Sequence, residues 1–387
     1  MNLNHITETI LLLSIAGAFG IIIGRIRIFN VSIGVGGVLF SSLILGHFGF
    51  KIEREMIEFL RDAGLAFFVY TIGIQIGPVF FESFKKNGLK LNFLAMIVVT
   101  LAFILALIIK YFTRLDIAKI AGIMSGAVTN TPGLAAAQTL IAQADGNLTR
   151  SDICGVAYAV TYPFGIFGII IAIILLKKIF SINLEEERKL FSKHNNSTNV
   201  ELLNEKTDIF ALFVGISAGI MLGAIPIKVP GFPIPIKLGS AGGPLLVALV
   251  LGNTKKTGPI TWTLPLPANL VLRELGIIIF LACVGLRSGA KFVESIVNGE
   301  GIIWMLLGSV ITFIPIFLIG LIGIKFFKLN FFPICGLLSG AMTDPPAMSF
   351  SEKFCNSEIP ALSFTTVYAL TMFLRIIYAQ ILVIFFQ

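Results

Sequence analysis

Two short stretches of the chain place hydroxyls, an amide and a carboxyl beside proline within otherwise apolar sequence. The first holds Ser125, Gly126, Thr129, Asn130, Thr131 and Pro132; the second holds Ser339, Gly340, Thr343, Asp344 and Pro345. Proline lacks an N–H and is favoured at the first position of a helix, and Thr or Asp just before it makes a good N-cap. The spacing therefore predicts that Thr131 caps a limb beginning at Pro132 and that Asp344 caps one beginning at Pro345. A helix N-terminus offers unpaired N–H groups and about half a positive charge to an anion. Two such termini facing each other make a site for a small anionic solute, with Gly126 and Gly340 allowing close backbone approach. Asn130 and Asp344 occupy matching places, so the stretches differ by one carboxyl. Two roles stand open for Asp344: it binds a proton or cation, or it only caps its helix.

Arg375 is the other unusual residue, because it lies within the apolar run LTMFLRIIYAQILVIFF. A cation at membrane depth is costly unless paired. Its guanidinium fork suits a substrate carboxylate; a structural ion pair with Asp344, or snorkelling, is the alternative. Gln75 and Arg287 are weaker pore-lining candidates. Arg61-Asp62 and Arg273-Glu274 read as pairs that fix helix ends at the membrane interface, and Trp262 and Trp304 as interfacial anchors.

Positioning these residues is a matter of membrane spans. The chain has 387 residues, 56% hydrophobic and only 13% charged, with a mean hydropathy of +0.94. Soluble domains carry about a quarter charged residues, so the composition predicts an all-α polytopic membrane protein. Candidate membrane spans fall at 6–24, 32–50, 62–81, 91–110 and 153–176, then at 209–225, 239–252, 270–287, 301–324 and 361–386, the stretch 239–252 being short for a crossing. The two Thr/Pro regions, 117–143 and 331–354, each have an apolar limb of about a dozen residues. Such a limb reaches about 18 Å, short of the ~30 Å hydrocarbon core. Each region is read as a re-entrant hairpin or as a helix broken at mid-membrane.

The two halves repeat one another. Arg61-Asp62-Ala63-Gly64 matches Arg273-Glu274-Leu275-Gly276; GIQIGPVFFES from Gly73 matches GLRSGAKFVES from Gly285. GIMSGAVTNTPGLA from Gly122 matches GLLSGAMTDPPAMS from Gly336, and AYAVT from Ala157 matches VYALT from Val367. Four ordered matches at nearly constant offset indicate duplication. The organisation read from them is a first membrane repeat over 1–180, a polar connector over 181–208, and a second repeat over 209–387. Five crossings per half would make the repeats inverted. Arg25 and Arg27, with Arg188, Lys189, Lys193 and Lys206 of the connector, favour a cytoplasmic connector and an external N-terminus.

At SGAVTNTPGLAAAQ and SGAMTDPPAMSFSE the sequence resembles the aspartate:alanine exchanger family of bacterial membrane transporters. The repeated RDxG and RExG starts of Gly-rich helices agree, and the likeness covers about 9–180 and 209–387. The resemblance implies two inverted membrane halves and exchange of small carboxylates or amino acids without ATP. It implies that the two Thr/Pro regions form the substrate site. Many members carry cytosolic regulatory domains between the halves, where this chain has only the short connector.

The function expected is therefore secondary transport, read as antiport of aspartate- or alanine-like solutes by elevator-like alternating access in a homodimer of the bacterial inner membrane. The alternative is proton- or sodium-coupled symport or export of organic anions through Asp344; a channel is less favoured. No nucleotide-binding loop GxxxxGK[ST] occurs, and no catalytic constellation stands out, so an enzyme is not expected. No cofactor, metal or nucleic acid is expected either: three histidines are dispersed, four cysteines show no paired spacing, and the net charge of +8 is scattered rather than gathered.

Overall fold

The computed structural model describes residues 5–28, 31–32, 34–50, 52–83, 88–145, 148–192, 208–227 and 237–386. It is about 85% helical. The polar end of the connector, 193–207, lies outside the described residues. In chain order the helices are α1 (His5–Gly24), α2 (Gly36–His47), α3 (Arg54–Ser83), α4 (Leu89–Thr113), α5 (Ile117–Ala127), α6 (Thr131–Asp145), α7 (Leu148–Ile179) and α8 (Leu184–Ser192). The second half continues with α9 (Ile209–Ala224), α10 (Gly239–Thr254), α11 (Leu266–Val297), α12 (Glu300–Lys325), α13 (Phe331–Ala341), α14 (Pro345–Cys355) and α15 (Ile359–Phe386). The described residues also include two small antiparallel pairs: β1 (Arg27–Ile28) with β2 (Val31–Ser32), and β3 (Lys256–Thr257) with β4 (Ile260–Thr261).

Among the described residues seven helices are long and apolar enough to cross a membrane: α1, α3, α4, α7, α11, α12 and α15. Their outer faces expose side chains such as Ile10, Phe93, Ile108 and Leu306, which only lipid solvates without cost. The chain is a multi-pass membrane protein. One span expected from the sequence is shorter than read: the run 32–50 becomes the 12-residue α2 behind the β1–β2 turn. Apolar length alone overstated it, because Gly34 takes φ +63 and starts the helix late. The short stretch 239–252 becomes the 16-residue α10. Trp304 is buried beneath Lys119, whose Nζ lies 5.1 Å from the ring centre, so it is a packing residue rather than an interfacial anchor.

The helices of the two halves correspond in order and closely in length: α5 and α13 have 11 residues each, and α4 and α12 have 25 and 26. They sort into two groups by packing. One comprises α1–α3 with α9–α11, centred on α3 against both α10 and α11; the other comprises α4–α7 with α12–α15. The halves meet at matching residues: a Cβ on Gly64 would collide with the carbonyl of Gly276, and one on Gly276 with the carbonyl of Gly64. Only glycine lets α3 and α11 cross so closely.

Both Thr/Pro regions double back. Asp116 caps the start of α5, and Arg150 near the start of α7 pairs with it at 2.7 Å. The chain therefore returns along α6 to the end of the bundle from which α5 set out. In the second half Arg188 of α8 donates to the carbonyl of Cys355 at the end of α14. Glu187 of α8 meets the backbone of Phe331 at the start of α13; its burial raises the carboxyl pKa, and that hydrogen bond opposes the rise. Each region is thus a helical hairpin, α5–α6 and α13–α14.

Candidate functional site between the two hairpins

Each hairpin turns through three residues that leave few backbone groups unpaired. In the first, the N–H of Thr129 bonds to Gly126 O at 3.0 Å and that of Asn130 to Ser125 O at 2.8 Å. This paired closure ends a helix whose next residue is left-handed, and Thr129 has φ +51. Asn130 then opens α6, its Oδ1 accepting from the N–H of Gly133 at 2.7 Å. The second hairpin repeats the pattern. Thr343 N–H bonds to Gly340 O and Asp344 N–H to Ser339 O, both at 3.0 Å. Thr343 has φ +55, and Asp344 Oδ1 accepts from Ala347 N–H at 2.7 Å. One residue closes one helix and caps the next.

Thr131 is therefore not the cap of α6. A cap reaches the N–H two or three residues on, which from position 131 is Leu134 at the farthest, and that N–H already bonds to Asn130 O at 3.1 Å. The Thr131 hydroxyl instead shares a hydrogen bond of 3.0 Å with Tyr158. Asp344 caps α14 as the sequence predicts.

The two turns touch. Thr129 Oγ1 donates to Met342 O at 2.9 Å, Thr343 Oγ1 to Val128 O at 3.4 Å, and Asn130 Nδ2 to Thr343 Oγ1 at 3.1 Å. A β-branched residue with positive φ is strained by about 1–2 kcal/mol. These reciprocal bonds hold both threonines there. Gly126 and Gly340 sit where a Cβ would strike the backbone of Tyr158 and of Phe364, so they seat each hairpin against α7 and α15.

The helix-ending carbonyls of α5 and α13 are treated differently. Ala127 O accepts from Thr312 Oγ1 at 2.6 Å. Ala341 O accepts from Arg375 Nε at 3.0 Å and Nη2 at 2.5 Å, and Nη2 also lies 3.3 Å from Met342 Sδ. Arg375 makes no ion pair with Asp344; it is 4% exposed and spends its fork on a helix C-terminus, an arrangement the dipole favours. With Ser125, Asn130 and Tyr378 it borders a void of about 10 Å³, too small for an organic solute. Ser125 Oγ has no protein partner. Ser339, its counterpart, bonds to Cys335 O and lies 3.3 Å from Ser351 Oγ.

A cavity of about 580 Å³ lies between the hairpin tips and the α3–α11 pair. Thr129, Thr131, Pro132, Thr343, Asp344 and Pro345 line one wall; Gln75, Arg273 and Glu274 line the other, with Tyr162, Tyr368 and Met372 between them. Asp344 is 1% exposed and its Oδ2 has no protein partner. Volume, apolar walls and a few convergent polar groups are those of a small-molecule site. Gln75 borders this cavity. Arg287 does not border it; its guanidinium is paired with Asp152 at 2.7 Å and Glu58 at 3.6 Å.

A second cavity, of about 250 Å³, opens toward the opposite end and is lined by Asp62, Thr139, Gln143, Lys237, Ser240 and Gln380, among others. It borders neither hairpin turn. Asp62 and Glu274 are repeat counterparts, and so are the residues that open α10 and α2, so the cavities occupy matching places in the two halves.

Sequence reading missed Arg273, Glu274, Tyr162 and Tyr368 as cavity residues. A signal was present in the repeat itself: Arg61 and Arg273 match, yet Arg61 is ion-paired to Asp62 at 2.9 Å while Arg273 bonds to the neutral Gln75 at 3.1 Å.

Among the described residues no group of three His, Cys, Asp or Glu side chains is placed to hold a metal. The chain matches the family described as "Predicted Permease Membrane Region" (Asp-Al_Ex) over 12–178 and again over 211–384. It belongs to the aspartate:alanine exchanger family. Two relatives are named "Putative transport protein": one from Pasteurella multocida, 32% identical over 548 aligned residues, and one from Histophilus somni, 32% over 547. Each alignment covers 99% of this chain and 99% of the relative. A third, from Edwardsiella ictaluri, is 31% identical and covered completely. The alignments are far longer than this chain's 387 residues, so the relatives contain stretches with no counterpart here. The chain is a transporter.

Proposed function

We propose that this transporter is an antiporter of small carboxylates or amino acids, working by alternating access. One observation carries the reading: the 580 Å³ cavity reaches both hairpin turns, whereas its counterpart at the other end stops short of them. A solute held at the turns is thus reached from one end at a time. Thr129, Thr131, Pro132, Thr343, Asp344 and Pro345 form the hairpin side of the solute site, and Asn130 holds the turns together. The helix grouping supports an elevator in which α4–α7 with α12–α15 moves against α1–α3 with α9–α11. An odd number of crossings in each half makes the repeats inverted. With the N-terminus external in the bacterial inner membrane, the large cavity opens to the cytoplasm. A homodimer would anchor the less mobile group.

The test is counterflow. Proteoliposomes loaded with unlabelled aspartate, alanine or succinate are expected to take up the labelled solute several-fold faster than empty ones. Equal uptake for every carboxylate tried would refute antiport. A second reading, ion-coupled symport or export, is favoured by the partnerless Oδ2 of Asp344. It requires uptake to follow an imposed proton or sodium gradient and to lose that dependence in Asp344→Asn.

A further inference from the structure

We infer that Arg273 is the residue that binds the negative charge of the solute, a carboxylate or similar anion, within the large cavity. This rests on the transport reading above. Among the described residues Arg273 is the only cation lining that cavity, which also holds the acids Glu274 and Asp344. Among the described residues it donates to a neutral amide oxygen, Gln75 Oε1, at 3.1 Å, and makes no ion pair. The bond to Gln75 fixes one arm of the guanidinium from α3 while its other N–H groups remain for a bidentate acceptor. Glu274, the next residue on the helix, forms no ion pair with it, unlike Asp62 with Arg61 in the other half.

The repeat sharpens the assignment. The counterpart of Arg273 is Arg61, neutralised by Asp62 at 2.9 Å; the counterpart of Gln75 is Arg287, neutralised by Asp152 and Glu58. Of four matching positions at the α3–α11 crossing, the one cation left without a carboxylate is the one in the cavity that reaches the hairpins. Arg375, the more conspicuous cation in the sequence, is bonded to Ala341 O and borders the 10 Å³ void, not the large cavity. Anchoring on Arg273 also places the anion on the α3–α11 wall, opposite the partnerless carboxylate oxygen of Asp344, so that a solute bridging both walls carries a donor at its other end.

The experiment is a thermal-shift titration of the purified full-length protein with succinate, L-aspartate and the uncharged succinamide. The expected result is stabilisation by succinate or L-aspartate but not by succinamide. Half-saturation should rise at least tenfold in Arg273→Gln and recover in part in Arg273→Lys. Gln75→Glu, which supplies Arg273 with an internal carboxylate, should weaken anion binding similarly while leaving the melting temperature without ligand unchanged or raised. If the unaltered protein responds and Arg273→Gln responds with half-saturation within twofold, the assignment of Arg273 falls and the transport reading stands. If no carboxylate stabilises even the unaltered protein, both fall.

Discussion

At the tip of the α5–α6 hairpin the helix-ending carbonyl of Ala127 is met by a hydroxyl, Thr312, from a helix of the other half. At the tip of the α13–α14 hairpin the matching carbonyl of Ala341 is met by a guanidinium, Arg375, from its own half. The turns themselves are nearly superimposable in their hydrogen bonds, down to the left-handed threonines. Duplication preserved the backbone solution and left the surroundings free to diverge. The second hairpin concentrates charge, with Arg375 at its C-terminal end and Asp344 at its N-cap. The first is neutral, with Thr312 and Asn130 in those roles.

This difference can be attacked from its strongest side first. Arg375→Gln strips Ala341 O of two charge-assisted bonds; a buried acceptor left unmet costs about 1–3 kcal/mol. The lower melting temperature and lost transport should exceed those of Thr312→Val, which removes one neutral bond from Ala127. Equal losses would show that the charge at the second hairpin has no special weight. The two ends of the α3–α11 crossing come next. Arg287 ties α11 to Asp152 of α7 at the closed end, and its counterpart Gln75 has no such tie at the open end. Arg287→Gln is expected to raise labelling of Ser240→Cys by a water-soluble thiol reagent several-fold. The four native cysteines are buried, so background is low; unchanged labelling would exclude Arg287 as a latch.

Smaller effects separate the caps. Asn130→Ala should destabilise the protein by about 1 kcal/mol through loss of the α6 cap, whereas Asp344→Asn keeps a good cap and should alter ion dependence with little change in melting temperature. A large destabilisation in Asp344→Asn would mean the carboxylate is structural. Least of all, Thr129→Gly relieves about 1–2 kcal/mol of left-handed strain and forfeits the bond to Met342 O, roughly 1 kcal/mol. A near-neutral melting temperature is expected; a drop of many degrees would show that the contact between the turns matters more than one hydrogen bond.

Much of this was legible in the residues. The duplicated S-G-x-x-T-x-x-P pattern located both turns and the Asn130–Asp344 difference, because helix capping and termination are local and short-ranged. The cap of α6 was misplaced by one residue, since the left-handed threonine that shifts it is not written in any propensity. Arg375 stood out by hydropathy, yet its partner is a carbonyl 34 residues away in sequence, and backbone acceptors leave no trace in side-chain identity. Arg273 looked like an interfacial charge for the converse reason: near a helix start it resembles any snorkelling arginine, and only the packing of α3 against α11 turns it toward the cavity.

The central claim is that both hairpin turns border one water-filled cavity reached from a single face. Thr131→Cys on the first hairpin and Ser349→Cys on the second, both lining the cavity, test it together, using a membrane-impermeant methanethiosulfonate applied separately to right-side-out and inside-out vesicles. The expected result is that both cysteines react from the same face, the cytoplasmic one, and that a transported carboxylate slows both. Labelling from opposite faces, or of neither residue from any face, would contradict the account.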